Sequence, residues 1–232
     1  MPNILLTGSS RGIGAAIADT LTGDDINLIG HGTRSGIPAD FDQPGAANAL
    51  WNEALDRLGG TIDVLINNAG IFEANPIDAG DADWLIGWER TMRVNLTASA
   101  ELCRMAILHW QARGVGGRIV NVASRAAYRG DSPAHWHYAA SKAGMVAMTK
   151  SIARGYAAEG ILAFAICPGF TMTGMAEDYL ASRGGDKLLA DIPLGRVADP
   201  AEIATAARFL ALEAPASMTG AVVDINGASY VR

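Results

Sequence analysis

The chain has 232 residues, a length that one α/β sheet with helices on both faces can occupy as a single domain. Half of the residues are hydrophobic, 18% are charged and 27 are glycine. This composition excludes a disordered chain, a coiled coil and a disulfide scaffold. The formal net charge of −6 and the scattered basic residues disfavour nucleic acid as a partner.

The cysteines and the apolar runs indicate the compartment. Cys103 and Cys167 lie far apart without a C-x-x-C or Cys/His spacing, which predicts no metal site and two thiols in a reducing cytoplasm. The longest uninterrupted apolar run, residues 161–167, is far shorter than the ~20 residues that span a bilayer. The chain enters a strand-like segment within its first residues, so we expect no membrane segment, no signal peptide and a cytoplasmic location.

Short aliphatic runs alternate with stretches of helical periodicity. In the first of these stretches, Ile13, Ile17 and Leu21 recur every four residues and form one apolar face. This alternation predicts a doubly wound α/β parallel sheet of about seven strands, with helices on both faces, in a single domain over residues 1–232. The predicted strands lie near residues 3–7, 26–30, 37–41, 63–67, 118–122, 161–167 and 221–225.

Two local signals refine this prediction. Only about six residues separate the second and third predicted strands, whereas a crossover with a helix needs at least ~10–12. The helix between strands 2 and 3 is therefore predicted to be shortened or missing. The last helix is predicted to begin at Pro200, with Asp199 as its cap and Glu202 returning a bond to that cap.

Residues 7–14, T-G-S-S-R-G-I-G, join the first strand to the first helix. Gly8 permits a tight turn, Gly12 allows a pyrophosphate to approach the backbone, and Gly14 allows helix and strand to pack. The free amide groups of the helix favour an anion. The loop is typical of a Rossmann-type dinucleotide site, although a glycine-rich turn without a ligand is the alternative.

Tyr138 and Lys142 lie four residues apart in a segment of helical pattern and so share one face. A lysine ammonium about 5 Å from the phenol is expected to lower the pKa of Tyr138 from about 10 towards working pH. A surface pair without function is the alternative. Only 3 of the 18 basic residues are lysines, so a lysine here is less readily explained as general surface charge.

Further motifs follow in order: D-x-x-x-N-N-A-G at residues 63–70, a strand that ends at Ser124, and Pro168-Gly169 after the sixth strand. Together these motifs resemble those of the short-chain dehydrogenase/reductase family over essentially the whole chain. The resemblance implies that Ser124, Tyr138 and Lys142 are catalytic. It also implies that Asn95, in R-V-N-L, is a fourth member that holds a water on the lysine side. The Tyr–Lys separation resembles the family's carbonyl reductases rather than its enoyl reductases.

The resemblance implies a nicotinamide dinucleotide cofactor. NAD enzymes usually place an acid at the end of the second strand, and residues 28–34 contain none. Arg11, with Thr33 or Arg34, is predicted to surround a 2′-phosphate, so NADP(H) is favoured over NAD(H). Solvated surface charges are the alternative for the two arginines. The predicted cofactor residues are Gly8, Ser10, Arg11, Gly12, Ile13, Gly14, Thr33, Arg34, Asp40 beside the adenine, Asn68, Ala69, Gly70, Tyr138, Lys142, Pro168, Gly169, Thr171 and Thr173 near the carboxamide.

The substrate prediction also comes from the resemblance. Residues 193–196 and 220–227 resemble those of the 3-oxoacyl-(acyl carrier protein) reductases of fatty acid biosynthesis. We therefore expect a carbonyl substrate, either a small molecule or one bound to an acyl carrier. Arg125, Arg129 and Arg183 are candidates for a basic patch that receives the carrier. The alternatives are a secondary-alcohol, polyol or sugar dehydrogenase, or a dinucleotide sensor without turnover.

The sequence leaves the roles of three aromatic residues open. Tyr128, His135 and His137 either line the substrate pocket or pack and face solvent.

The long helical segments 84–113 and 136–159 carry apolar residues on more than one side. Family members commonly pair these helices, so we expect a homotetramer. The apolar residues considered are Leu102, Met105, Met145, Met148 and Ile152.

Overall fold

The structure, a computed structural model, describes residues 1–23, 25–172 and 189–232. Seven strands form one sheet in the order β3-β2-β1-β4-β5-β6-β7, with every neighbouring pair parallel. The predicted doubly wound parallel sheet is confirmed. The strands are β1 (Asn3–Thr7), β2 (Asn27–Gly32), β3 (Ile37–Pro38), β4 (Val64–Asn67), β5 (Gly117–Val122), β6 (Ile161–Pro168) and β7 (Val222–Ile225).

Helices cover both faces of the sheet, because successive side chains of a strand point to opposite sides. Ile4 and Leu6 of β1 pack with one set of helices, whereas Leu5 packs with the other. The α-helices of the described residues are α1 (Gly12–Leu21), α2 (Ala46–Arg57), α3 (Asp81–Met92), α4 (Ala98–Arg113), α5 (Ala126–Arg129), α6 (Trp136–Tyr156) and α7 (Pro200–Leu212). Helices α1 and α7 lie on the first face, and α2, α4 and part of α6 lie on the second.

The helical segment predicted at residues 84–113 is two helices, α3 and α4, joined by a π-helical turn at Arg93–Thr97. A π turn inserts one extra residue into the helical repeat and is frequent at functional sites. Here the turn places the side chain of Asn95 in the interior, where it is fully buried.

The connection between β2 and β3 consists of residues 33–36 and contains no helix, which confirms the predicted loss of that helix. Strand β3 is shorter than predicted and ends at Pro38, after which the chain turns at Asp40–Gln43. The connection is closed at Gly36, whose φ is +65°. A Cβ atom at Gly36 would lie 2.1 Å from the carbonyl oxygen of Gly30.

The predicted start of the last helix is confirmed in atomic detail. A carboxylate oxygen of Asp199 accepts the backbone N–H of Ala201 at 2.8 Å, and Glu202 accepts the N–H of Asp199 at 2.7 Å. This reciprocal pair satisfies two amide groups that a helix start leaves without partners. The apolar face of α7 packs against α1 and the sheet.

Three further features follow from the described residues. Cys103 and Cys167 are both free and buried. None of the helices in the described part of the chain is long and apolar enough to cross a membrane. Within the same residues, no group of three or more His, Cys, Asp or Glu side chains is arranged to hold a metal ion.

The close approach at Gly36 gives a prediction for stability. Gly59 also has a positive φ, +68°, but nothing lies within 4 Å of the position of its Cβ. Gly59→Ala is expected to lower the free energy of unfolding by about 1–2 kcal/mol, the cost of a left-handed backbone for alanine. Gly36→Ala is expected to cost clearly more, because its Cβ also overlaps the backbone of β2. Urea unfolding of both variants measures the difference, and equal losses would contradict the prediction.

Candidate active site

The candidate site lies at the carboxyl ends of the strands. The order of the strands reverses between β1 and β4, so the loops that follow these two strands meet above a crevice. Residues 8–11 follow β1, residues 68–72 follow β4, and Ser124 lies just after β5. The fold therefore brings together three segments that lie far apart in the sequence.

The side chains of Thr7 and Asn68 hold the loops after β1 and β4 together. The Asn68 amide donates to the carbonyl oxygens of Gly8 at 2.9 Å and Thr7 at 3.2 Å. The Thr7 hydroxyl accepts the backbone N–H groups of Asn68 and Ala69, both at 3.0 Å. A Cβ at Gly14 would lie 1.9 Å from the Gly8 oxygen, so only glycine lets α1 begin this close to the loop. The Asn68 side chain is thus used to hold the glycine-rich loop.

The other residues predicted around the adenosine end of the cofactor lie on the rim of the crevice. Ser10 and Arg11 are exposed in the loop after β1, and Thr33 and Arg34 are exposed directly after β2. Gly12 and Ile13 open α1 and are half-buried. A Cβ at Gly32 would lie 3.3 Å from the Ser10 hydroxyl, so the ends of the two loops are neighbours. Asp40 is exposed, and its carboxylate accepts the backbone N–H of Asp42 at 3.0 Å.

Asn95 fastens the segment after β4 to the π turn. Its carbonyl oxygen accepts the N–H of Ile71 at 2.8 Å, and its amide donates to the Ile71 oxygen at 2.9 Å. The same amide donates to the Ser141 hydroxyl at 3.3 Å on α6. A Cβ at Gly70 would lie 3.2 Å from the Asn95 oxygen and 3.6 Å from Lys142 Nζ. The backbone of Gly70 therefore lies between the asparagine and the lysine.

Tyr138 lies in the first turn of α6, with Ser124 beside its phenol. Burial raises the pKa of Tyr138 to about 12, and the hydrogen bond with Ser124 opposes this rise only in part. The expectation that Lys142 brings the pKa of Tyr138 towards neutrality is wrong for this structure, because the loss of hydration outweighs the other contributions. The phenol therefore carries its proton at neutral pH.

Lys142 lies one turn further along α6, on the same side as Tyr138. Its ammonium donates to the Val122 carbonyl at 2.8 Å and lies 5.9 Å from the centre of the Tyr138 ring. Burial lowers the pKa of Lys142 to about 8. The ammonium remains mainly charged at pH 7 and loses its proton in the mildly alkaline range.

An aromatic wall beside Tyr138 was not predicted as a unit. Phe72, two residues after Gly70, stacks on His135 with 3.9 Å between ring centres. Its ring also contacts Tyr138 edge to face at 4.8 Å. Of the three aromatic residues left open by the sequence, His135 thus belongs to this wall, and His137 is buried beneath it. Tyr128 stacks on Tyr230 at 5.7 Å, and its hydroxyl accepts a hydrogen bond from Arg232 at 2.9 Å.

The segment after β6 packs against the end of β7. A Cβ at Gly169 would lie 2.8 Å from the Cα of Asn226. Pro168 ends β6, and the buried Thr171 donates its hydroxyl to the Gly169 oxygen at 3.2 Å. Thr173, predicted near the carboxamide, lies outside the described residues.

The arginines considered as a basic patch are engaged in an ion pair. Arg125 is 8% exposed, and its guanidinium lies 4.7 Å from the centre of the Phe170 ring. Arg125 and Arg129 both bind one carboxylate oxygen of Asp191, at 3.4 and 2.6 Å. Arg183, the third candidate, lies outside the described residues. The two described arginines thus share one acidic partner, which reduces their net positive charge.

Comparisons with known proteins agree with this geometry. A family model described as enoyl-(acyl carrier protein) reductase matches residues 25–228. The chain is 34% identical to the 3-oxoacyl-[acyl-carrier-protein] reductase FabG of Vibrio cholerae, over 98% of this chain and 96% of that protein. It is 32% identical to the 3β-hydroxysteroid dehydrogenase 1 of Eggerthella lenta, over 97% and 92%. The chain belongs to the short-chain dehydrogenase/reductase family. This short-chain dehydrogenase/reductase is an oxidoreductase that interconverts a carbonyl and a secondary alcohol by hydride transfer.

A solved structure extends the likeness to three dimensions. An NADP-bound crystal structure from Agrobacterium tumefaciens, provisionally described as a 2-deoxy-D-gluconate 3-dehydrogenase, has a TM-score of 0.89 and 29% identity, and it covers 100% of this chain and 97% of that one. The alignment with the Vibrio cholerae protein spans 242 positions, more than the 232 residues of this short-chain dehydrogenase/reductase. The alignment therefore contains gaps in this chain.

The residues present fit a nicotinamide dinucleotide. Glycines border the crevice at the strand-order reversal, where a Cβ at Gly8 would lie 2.7 Å from the Ala69 Cα and a Cβ at Gly14 would lie 1.9 Å from the Gly8 oxygen. The N-terminus of α1 faces the same crevice and favours a phosphate. The Tyr138 phenol lies at the other end of the site, beyond Asn95 and Gly70.

Proposed function

We propose that residues 1–232 act as one domain that reduces 3-oxoacyl thioesters, carried on an acyl carrier protein, to 3-hydroxyacyl thioesters with NADPH. The observation that carries the proposal is the half-buried Tyr138 beside Ser124 and the buried Lys142, at the carboxyl end of β5. Relatives named 3-oxoacyl reductases, 33–34% identical over nearly the full chain, support the choice of substrate.

In the proposed reaction, Tyr138 is the proton donor. When bound, the cofactor supplies the hydride that reaches the carbonyl carbon. Negative charge then develops on the carbonyl oxygen, and a donor already in place stabilises it. The Tyr138 phenol carries its proton at neutral pH, so it gives the proton to this oxygen while Ser124 donates a hydrogen bond. The Lys142 ammonium stabilises the phenolate that results.

Asn95 is proposed to position these groups. By holding both backbone groups of Ile71, it fixes Gly70 next to Lys142. To restore the phenol, Lys142 would pass a proton to the Tyr138 phenolate, and a water between Asn95 and Lys142 would then return a proton from solvent to the lysine. The four-residue separation of Tyr138 and Lys142 on one helix resembles that of the family's carbonyl reductases, which supports carbonyl rather than enoyl reduction.

A second candidate function has a specific observation in its favour. Arg125 and Arg129 are paired with Asp191, which weakens the case for a basic docking patch. A secondary-alcohol or sugar dehydrogenase that acts on a small free substrate needs no such patch. A dinucleotide sensor without turnover is disfavoured, because the full set of Asn95, Ser124, Tyr138 and Lys142 is present.

The function is tested by following NADPH oxidation with 3-oxoacyl thioesters, simple ketones and sugars. Thioesters are expected to give the highest kcat/KM. Tyr138→Phe is expected to lower kcat by about 10²–10⁴-fold, because it removes the proton donor, while NADPH binding is retained. Tyr156→Phe, at the far end of α6, is the matched control. Near-normal kcat in Tyr138→Phe would overturn the assignment, and a preference for sugars or free ketones would select the second candidate.

The pH profile tests the role of Lys142. Since burial lowers its pKa to about 8, the stabilising charge is present below that pH and is lost above it. The kcat of reduction is expected to be level at acidic and neutral pH and to fall as the pH rises through about 8. In Lys142→Arg the arginine keeps its positive charge over this whole pH range, so the kcat of this variant should not fall above pH 8. A wild-type rate that stays level well above pH 8 would contradict the prediction.

We infer a preference for NADP(H) from the rim of the crevice. Arg11, Thr33 and Arg34 are exposed at the ends of adjacent loops, and no acid occupies residues 28–34. NADPH is expected to bind more tightly than NADH in fluorescence titrations. Arg11→Ala should raise the Kd for NADPH about tenfold and leave that for NADH unchanged, because only NADPH has a 2′-phosphate. Arg57→Ala, on α2, is the control, and tighter binding of NADH to the wild type would reject the preference.

A cytoplasmic homotetramer is proposed on family grounds. Most of the apolar residues first considered for helix pairing pack inside the chain: Leu102, Met145 and Ile152 are buried, and Met105 and Met148 are half-buried. Leu108 on α4 is 47% exposed and remains available for contact. Light scattering is expected to give a tetramer mass, which Leu108→Glu should reduce. A monomer mass for the wild type would contradict the proposal.

A further inference from the structure

His31 links two segments of the crevice through its side chain. It is the penultimate residue of β2 and is 3% exposed. Its Nδ1 accepts the backbone N–H of Gly8 at 3.3 Å, in the glycine-rich loop. Its Nε2 lies 2.9 Å from the carbonyl oxygen of Ala39, immediately before Asp40. One imidazole ring thus connects the loop after β1 with the segment after β3.

These partners determine the protonation state of the ring. The Gly8 N–H can only donate, so Nδ1 must be without a proton. The Ala39 oxygen can only accept, so Nε2 must carry the hydrogen. His31 is therefore a neutral imidazole in the Nε2–H form. Burial lowers the pKa of His31, which agrees with a neutral ring.

The surroundings hold the ring in place. Phe41, also buried, stacks on His31 with 4.4 Å between ring centres. The backbone oxygen of His31 accepts the N–H of Ser9 at 2.8 Å, so its main chain also contacts the glycine-rich loop. With only residues 33–36 between β2 and β3, this part of the chain has no crossover helix to support it. The two ring contacts and the stack supply a rigid connection in its place.

We propose that His31 is a positioning residue for the dinucleotide, which sets the distance between the pyrophosphate loop at Gly8 and the adenine-side segment at Ala39–Asp40. The proposal rests on the proposed function in one respect, namely that these two segments hold the two ends of the adenosine diphosphate group. The hydrogen bonds of the ring join it to these two segments, and its stack joins it to Phe41. We therefore expect His31 to affect the reaction through the binding of the cofactor.

Three substitutions separate the two ring contacts. His31→Asn places a carbonyl oxygen near the position of Nδ1 and can keep the Gly8 contact. His31→Gln places an amide nitrogen near the position of Nε2 and can keep the Ala39 contact. His31→Ala loses both contacts. His109→Gln, on α4 beside Trp51, is the matched control for replacing a histidine elsewhere.

The test is direct NADPH binding to the purified protein, together with KM and kcat. His31→Ala is expected to raise the Kd and the KM for NADPH about tenfold, the loss expected for two hydrogen bonds between neutral groups. The Asn and Gln variants should lie between Ala and wild type, and kcat at saturating NADPH should remain within about twofold of wild type. His109→Gln should bind NADPH as the wild type does.

Several outcomes would overturn the proposal. A folded His31→Ala variant with the wild-type Kd would do so, and so would a fall in kcat with no change in KM. If His31→Ala fails to fold, the Asn and Gln variants decide, and wild-type Kd values in both would reject the role. ¹⁵N NMR of histidine-labelled wild-type protein needs no variant of this residue to fold, and a proton on Nδ1 of His31 would also reject it.

The same experiment separates this proposal from the proposed function. A wild-type protein that binds neither NADPH nor NADH overturns both. Tighter binding of NADH overturns only the cofactor preference, and the His31 variants are then compared with NADH. Tight NADPH binding by the wild type and equally tight binding by all three variants overturns only the role of His31.

Discussion

The site depends on how closely the backbones after β1 and β4 approach each other. Asn68 bridges to the carbonyl oxygens of Thr7 and Gly8, and Gly14 lets α1 begin against the same loop. A side chain at Gly14 would disrupt this contact, because its Cβ would lie 1.9 Å from the Gly8 oxygen and 2.5 Å from the Asn68 amide nitrogen, which are hydrogen-bonded to each other. The contact between these two loops thus determines both the crevice for the dinucleotide and the position of the first turn of α1.

Burial governs the chemistry at the other end of the crevice. Tyr138 and Lys142 sit above a buried polar row in which Asn67 donates to Asn121, and Asn121 donates to Thr149. Loss of hydration moves the two reactive groups in opposite directions, raising the pKa of the phenol and lowering that of the ammonium. The phenol therefore keeps its proton over a wider pH range than an exposed tyrosine does, whereas the ammonium loses its proton in the mildly alkaline range.

Sequence patterns predicted the strands of the sheet, the missing helix and the cap of α7, because each of these depends on residues that are close together in the sequence. The π turn was missed, since the apolar spacing on both sides of Asn95 resembles one continuous helix. The direction of the pKa shift at Tyr138 was wrong because charge spacing can be read along a helix, whereas burial depends on the whole fold. The ring contacts of His31 and Phe72 join segments that a linear pattern does not relate.

The shortened third strand also affects how the sheet can meet other molecules. β3 is one edge of the sheet, has two residues and ends in Pro38, which has no N–H to offer to another strand. That edge is a poor template for aggregation. The opposite edge, β7, has four residues and regular backbone groups. Addition of a further strand to this sheet is thus less favourable at β3 than at β7.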